Sequence, residues 1–299
     1  MLEGVRQVAR RLRHPVRTLR ALQLRADMAW LMLRNRFSRS PVATGKPGAL
    51  VSLTTYGRRI GAVHLAIESI ARGHAMPSRL ILWLDDAALF ANLPQPLLRL
   101  ERRGLEIRLC KNYGPHKKYY PYVESEQVFA YPLATADDDV IYPPRWLAGL
   151  LDAHQRFPNF VNCYRARLMT LRDGEIAPYR EWPLCASTEP SYRTVATGVS
   201  GVIYPGALLE ELKRAGTDFE SRCPRADDLW LHVRAIRSSF QIRQIQQEAI
   251  LFPLIPGTQE TSLYAENCAL DDGNDRQLAV TYNSIDLEIL AGYAIAAQA

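Results

Sequence analysis

A chain of 299 residues with 47% apolar and 23% charged side chains has ample material for one large globular domain and lacks the bias of a disordered or fibrous protein. Its formal charge of +6 is lopsided. Eleven Lys and Arg face only Glu3 and Asp27 within residues 1–46, while the rest is slightly acidic, which argues against a folded nucleic-acid-binding face.

Residues 1–46 read as a basic helical arm with a linker. Val5, Val8, Ala9, Leu12, Val16 and Leu19 recur at helical spacing between arginines, Pro15 is predicted to break or kink the helix, and a second stretch carries Leu24, Met28, Trp30 and Leu31. The longest apolar run, Met28 to Leu33, has six residues between Arg25 and Arg34. It is too short to span a bilayer, and the arm has neither the apolar core nor the cleavage site of a secretory signal. A basic amphipathic helix with Trp and Leu suits an anionic membrane surface, each Lys or Arg adding about 1 kcal/mol. That reading puts the protein in the cytoplasm, peripheral on the inner face of the membrane. The alternative is a helix packed on its own domain or on a partner subunit of a homo-oligomer. Five widely spaced cysteines without a metal-ligand pattern read as reduced, mostly buried thiols, in keeping with a cytosolic protein.

Residues 47–299 read as one α/β domain. Ser38 to Gly48 is the linker, and Ala49 to Leu53 is a short apolar strand. Val63 to Ala71 is helical. Leu80 to Leu84 is a strand ending at Asp85-Asp86, Leu97 to Arg103 a helix stopped by Gly104, and Leu105 to Leu109 a third strand. Tyr131 to Ala136 is a fourth strand, and Pro143 to Phe157 a helix with Pro near its start. This alternation predicts a mostly parallel sheet covered by helices on both faces, with ligands beyond the carboxyl ends of its strands. Residues 47–157 form the candidate nucleotide-binding half. The mixed pattern of residues 158–299 suits an acceptor-shaping half.

Three carboxylates in a row, Asp137-Asp138-Asp139, repel one another at a strand end unless a cation compensates. Oxygen ligands suit Mg²⁺ or Mn²⁺ paired with substrate phosphates. A solvated acidic turn is the alternative, and the small residues Ala134-Thr135-Ala136 before it favour the metal. Asp227-Asp228 opens a predicted helix at Leu229. A helix cap needs one Asp, which leaves the second as a candidate general base for a hydroxyl. His232, one turn on, could tune that base, touch the metal, or simply pack. Lys117-Lys118 and Arg58-Arg59 could neutralise a diphosphate or be solvated. Thr197 to Gly201 is a loop whose glycines permit close backbone approach to a ligand.

In combination and order, these segments resemble bacterial family-2-like glycosyltransferases of the GT-A fold, found among genes for cell-surface polysaccharides. The resemblance covers about residues 49–246. It rests on Val51-Ser52-Leu53-Thr54-Thr55-Tyr56 with Arg59-Ile60, Leu82-Trp83-Leu84-Asp85, Lys117-Lys118, Thr135 to Pro144, Thr197 to Gly201, and Cys223 to Trp230. It implies a metal-dependent enzyme that moves a hexose or galactofuranose from a nucleotide-sugar, UDP-linked by expectation, to a glycan or lipid-linked glycan. By that resemblance the triplet is a DxD motif. Asp139 would ligate the metal, and Asp137 would meet the ribose or diphosphate beside Asp138. Thr54, Tyr56 and Asp85 would line the base pocket, Arg59 and Lys117 would approach the nucleotide, and Asp228, or Asp227, would be the base. The family's metal-binding His near the C-terminus has no counterpart after His232, and Asn274-Asp275 is a candidate substitute. Ser200 stands where the family's loop has glycine.

One base without a second carboxylate nucleophile predicts inversion at the anomeric carbon. Tyr164, Arg165, Trp182 and Gly198 are candidate acceptor walls. Two other readings compete: a sugar nucleotidyltransferase, disfavoured by the single glycine in Thr54 to Arg59, and a non-catalytic glycan-binding relic, disfavoured by intact Asp139 and Asp228.

Overall fold

The computed structural model describes residues 15–259 and 273–296. The first predicted amphipathic stretch, Val5 to Leu12, lies outside these residues. Helix α1 (Pro15–Phe37) begins at the predicted break, and β1 (Leu50–Thr54) follows the linker. A 3₁₀ turn (Gly57–Gly61) leads into α2 (Val63–Ala71), then β2 (Leu80–Leu84), α3 (Ala87–Ala91), α4 (Gln95–Glu101) and β3 (Leu105–Leu109). A second 3₁₀ turn (Gly114–Lys118) precedes α5 (Tyr120–Ser125), β4 (Leu133–Thr135) and α6 (Trp146–Arg156). The second half adds β5 (Val161–Cys163), β6 (Ala166–Leu168), the hairpin β7 (Leu171–Arg172) and β8 (Glu175–Ile176), a 3₁₀ turn (Tyr179–Glu181), β9 (Thr194–Ala196) and β10 (Val202–Tyr204). It closes with α7 (Gly206–Ala215), α8 (Phe219–Arg222), α9 (Asp227–Arg237), β11 (Ile242–Gln244), α10 (Gly273–Thr281) and α11 (Ser284–Ala296).

Seven strands form one sheet in the order β11-β5-β10-β4-β1-β2-β3, and all neighbours are parallel except β10, which runs antiparallel between β4 and β5. β1 and β2 are buried at every position, as central strands covered on both faces must be. β3 is only partly buried, consistent with its place at the edge. One core cluster joins β1 and β2 to α2, α4 and α6, and a second joins β5, β10 and β11 to α7 and α9. The sheet therefore draws on both halves of the sequence. Register pairs Ser52 with Thr135, so the residues after β1 and after β4 emerge side by side. The fourth strand is shorter than predicted, and the following helix starts at Trp146, three residues past Pro143.

The arm takes the packed alternative in its second stretch. Leu24, Met28 and Leu31 lie against Leu65, Ala66, Ile141 and Ile255. These are the residues expected on a membrane face, and their helix is clamped to the domain. The carboxylate of Glu68, wholly buried, accepts from Arg34 Nε at 3.0 Å, Asn35 Nδ2 at 3.3 Å and Arg103 Nη2 at 3.1 Å. No helix among the described residues is long and apolar enough to cross a membrane.

Candidate active site

The carboxyl ends of β1, β2 and β4 assemble the site as the parallel register dictates. Behind β4 the triplet turns inward, and Asp137, Asp138 and Asp139 are all buried. Burial of three adjacent carboxylates requires donors, and the fold supplies one set for each. Asp137 pairs with Lys118, while its backbone N–H donates to the Tyr142 hydroxyl at 2.7 Å. Asp138 accepts from Thr55 Oγ1 at 2.6 Å and from Arg59 Nη1 at 2.9 Å. Asp139 accepts from Gln259 Nε2 at 2.8 Å and lies 3.1 Å from Arg59 Nη1. Burial nonetheless pushes Asp138 up to about 6, against the pull of Arg59 and Thr55. Burial and neighbouring Asp137 raise Asp139 as well.

Arg59 reaches this position from the 3₁₀ turn after β1, with Nε donating to the Thr258 carbonyl at 3.0 Å and its guanidinium over the Tyr56 ring. At the end of β2, Asp85 accepts from Lys117 Nζ at 2.5 Å. Thr54, expected in the base pocket, turns its hydroxyl to the Trp83 carbonyl at 3.0 Å, so it ties β1 to β2. The lysine turn is fastened to the second half of the chain. His116 is fully buried, stacked on Phe219, and bonded through Nε2 to the Cys223 carbonyl at 2.8 Å. Burial pushes His116 down to about 3, so the ring is neutral. Gly114, at φ +58°, lets the turn approach the Pro224 carbonyl where a Cβ would come within 3.1 Å.

That fastening brings Asp227 and Asp228 to the triplet. They open α9 behind Ala226, whose own side chain gives no cap. A side chain at Gly198 would lie 3.4 Å from the Lys118 ammonium and 4.0 Å from an Asp227 oxygen, so Lys118, Gly198 and Asp227 converge on one point. Asp228 accepts from the Leu229 N–H at 2.9 Å and, at a long 3.4 Å, from the Tyr179 hydroxyl. Burial raises both carboxyls of the pair, Lys118 opposing it at each. At Lys118 itself burial is outweighed by Asp137 and Asp227, and its ammonium is held firmly charged. Both aspartates keep some solvent contact.

Several expected site residues are elsewhere. His232 is buried, hydrogen-bonded to the Tyr282 hydroxyl at 2.7 Å and the Tyr192 carbonyl at 2.8 Å, and pushed down to about 4 by burial. It is a neutral packing residue with no nitrogen left for a metal. Tyr164 points into the core, donating to the Trp146 carbonyl at 2.8 Å and packing on Phe252, so it walls no acceptor. Trp182 is likewise buried, with Nε1 on the Ala177 carbonyl at 2.8 Å. It supports the Tyr179 ring, 4.8 Å away, and does not face a ligand. Arg165 donates to Thr197 Oγ1 at 3.0 Å, beside Gly198. Gly201 serves packing and not a ligand, since a Cβ there would meet Trp146 Nε1 at 2.5 Å. Asp275 accepts from the Tyr179 N–H at 2.8 Å, which anchors the tyrosine.

Sequence alone assigns no role to Thr55 or Tyr179, and of the lysine pair the resemblance assigns a role to Lys117 and not Lys118. The lysine pair was visible, but which of two adjacent side chains faces the triplet depends on the turn. Tyr179 sits after a two-residue hairpin strand with no periodicity to mark it.

The donor set has the chemistry of a shared metal site. Mg²⁺ and Mn²⁺ take oxygen ligands, and Mg²⁺ is commonly held by one or two carboxylates together with substrate phosphates. The free oxygens of Asp137 and Asp139 fit that role. A closed protein cage is not built: among the described residues no three His, Cys, Asp or Glu groups are placed to hold an ion.

A mostly parallel seven-stranded sheet with two acidic clusters at one end of its strands defines the GT-A fold. The solved structures similar to it agree. A mannosyltransferase, PcManGT from Pyrobaculum calidifontis in complex with GDP-Man and Mn²⁺, matches over 88% of this chain and 73% of its own at a TM-score of 0.51 and 12% identity. GalNAc-T7 with UDP, GalNAc and Mn²⁺ matches over 77% of this chain at a TM-score of 0.50 and 8% identity, and the match spans 50% of its own length. A looser likeness, at a TM-score of 0.44 and 12% identity, is to CMP:2-keto-3-deoxy-manno-octonic acid synthetase complexed with CTP, over 76% of this chain. No family model and no curated protein matches the sequence.

Proposed function

We propose that the chain is a glycosyltransferase that moves a sugar from a nucleotide-sugar, UDP-linked by preference, to a hydroxyl of a glycan or lipid-linked glycan. The observation that carries this reading is the meeting of the two acidic clusters around Lys118, with Asp137 on one side and Asp227 on the other. One end of the site sets Lys117, Lys118 and Arg59 among the carboxylates of Asp85 and the triplet, an acidic excess that suits a divalent cation together with a diphosphate. The other holds paired carboxylates and suits proton removal. In this reading residues 47–157 hold the nucleotide and residues 158–299 shape the acceptor pocket.

The division of labour follows from the geometry. Lys117 and Asp85 stand at the end of β2, where Tyr56 and Arg59 can flank the base and ribose. Lys118 and Arg59 supply positive charge where the departing diphosphate becomes more negative. A divalent cation held by Asp139 and Asp137 would add Lewis-acid charge to the same diphosphate. Asp228 takes the proton of the acceptor hydroxyl as that oxygen attacks the anomeric carbon, and Asp227 beside it keeps the pair short of counter-charge and therefore basic. Tyr179, anchored by Asp275, holds the Asp228 carboxylate in place. With one base and no carboxylate nucleophile, the sugar's configuration inverts. The basic N-terminal segment places this reaction, in our reading, at the cytoplasmic face of an anionic membrane.

The test is a screen of UDP-, GDP- and dTDP-sugars with Mn²⁺ for release of nucleoside diphosphate. Turnover of one donor that is lost in Asp228→Asn supports the reading. Pyrophosphate formed from a nucleoside triphosphate and a sugar phosphate would replace it with a nucleotidyltransferase. The NMR spectrum of fresh product reads the anomeric configuration, and retention would sink the inverting mechanism.

A further inference from the structure

Helix α1 has two apolar faces, and among the described residues only one is packed. Leu24, Met28, Leu31 and Asn35 face the domain. On the opposite side Leu19, Leu22, Trp30, Leu33 and Phe37 are 58%, 56%, 47%, 56% and 69% exposed. At 100° per residue these five, with Ala26 between them, fall within about 80° of arc, nearly diametrically opposite the packed face. The stripe runs along most of a 23-residue helix, and a contiguous apolar patch of a few hundred Å² on a monomer is often a binding surface.

Its flanks are basic. Arg25 and Arg36 border it on one side, and Arg20 lies about 80° beyond it on the other, all exposed. The single acidic residue of α1, Asp27, is tied to Arg72 at 3.2 Å. Trp30 is held between the guanidinium groups of Arg34 and Arg72, at 5.8 and 5.6 Å from the ring. The stripe is rigidly mounted, because Arg34 and Asn35 bind buried Glu68 from the other face.

We infer that this outer stripe of α1 is a membrane-docking surface that lies in the plane of an anionic bilayer. Leu19, Leu22, Trp30, Leu33 and Phe37 enter the headgroup boundary, and Arg20, Arg25 and Arg36 rest on lipid phosphates. Charge favours lipid over a second copy of the chain, since a two-fold seam along α1 would bring the same arginines face to face. Size points the same way. A stripe about 27 Å long and 10 Å wide offers roughly 270 Å², well under the ~800 Å² per partner of a stable interface. The inference rests on the membrane part of the functional reading and not on the sugar chemistry. Of the residues first expected to meet lipid it keeps Leu19 and Trp30 and removes Leu24, Met28 and Leu31, and it fixes the domain's orientation, because the docking helix is clamped.

The experiment is co-sedimentation of the full chain with vesicles of phosphatidylcholine alone or mixed with phosphatidylglycerol, with donor turnover measured separately. Wild type should bind the anionic vesicles and release as salt rises. The variant Leu19→Glu/Leu22→Glu/Leu33→Glu, with an unchanged melting temperature, should bind at least ~10-fold more weakly to them. Arg20→Gln/Arg25→Gln/Arg36→Gln should lose the preference for anionic lipid. Undiminished binding by the Glu variant would overturn the proposal and move the contact to residues 1–14. So would a wild type that ignores vesicles but sediments as a dimer, with the Glu variant monomeric. Loss of turnover with vesicle binding intact would count against the catalytic reading alone.

Discussion

The acidic triplet after β4 and the acidic pair opening α9 approach the same lysine, yet they differ in the donors the fold gives them. Every carboxylate of the triplet has a side-chain donor, with Arg59 shared between two: Lys118 for Asp137, Thr55 and Arg59 for Asp138, Gln259 and Arg59 for Asp139. The pair has far less. Asp228 receives one backbone N–H and one long hydroxyl contact, and among the described residues no cation forms a direct ion pair with it or with Asp227. Neither cluster is fully neutralised: burial raises Asp138 and Asp139 as it raises the half-buried pair. What sets the pair apart is that, among the described residues, Tyr179 alone donates a side-chain hydrogen bond to it, and a carboxyl that holds its proton more tightly than usual suits a group that must accept one.

The sharpest way to break this comparison is to neutralise one member of each cluster. Asp228→Asn should reduce turnover about 10³-fold with donor affinity little changed, as loss of a general base does. Calorimetry with the nucleotide-sugar and a product assay separate the two effects. Asp139→Asn should cost about 10²-fold, and the concentration of Mn²⁺ needed for half-maximal rate should rise, because charge at the diphosphate is what it supplies. If both variants lost donor binding equally, the clusters would share one role.

The triplet also predicts a pH dependence of stability. Asp138 is raised from 3.8 to about 6 in the fold, so the native state binds its proton more tightly than the unfolded chain. That contribution is complete below about pH 4 and is lost as pH rises through about 6, a swing of about 3 kcal/mol. In the metal-free protein the gap in melting temperature between wild type and Asp138→Asn should therefore narrow or reverse as the medium is acidified across that window. A gap that stays constant would mean Asp138 is not carrying a burial penalty.

The smallest expected effect concerns the pair. The Tyr179 hydroxyl stabilises ionised Asp228, so Tyr179→Phe should raise that carboxyl further and shift the acidic limb of kcat/KM to higher pH. The loss should be about tenfold on that acidic limb and fade at alkaline pH, the low end for a hydrogen bond to a charged group, as its 3.4 Å length suits. An unmoved limb would leave Tyr179 a packing residue.

Much of this arrangement was legible before any coordinates. Strand β2 is an unbroken apolar run and β1 is interrupted only by Ser52 before Thr54, so their burial and parallel pairing followed from composition. Asp85 and Asp137 fell at strand ends for the same reason. What could not be read was direction. Leu24, Met28 and Leu31 marked an apolar helix face without saying what covers it, and a second face on the same helix was hidden behind the first. His232 had the helical spacing to meet Asp228, and Tyr282, fifty residues on, captured it instead. Tyr164 and Trp182 were plausible sugar walls by chemistry, yet their polar atoms are satisfied by backbone carbonyls inside the core. Ser200 is tolerated at φ +75°, with a buried hydroxyl that has no partner, at a position where glycine would be less strained.

The most direct test of the central claim is a paired measurement on wild type and Asp228→Asn with one nucleotide-sugar and Mn²⁺. The account predicts matching donor affinities and a turnover lower by about 10³-fold in the variant. A variant that turns over at the wild-type rate would contradict it.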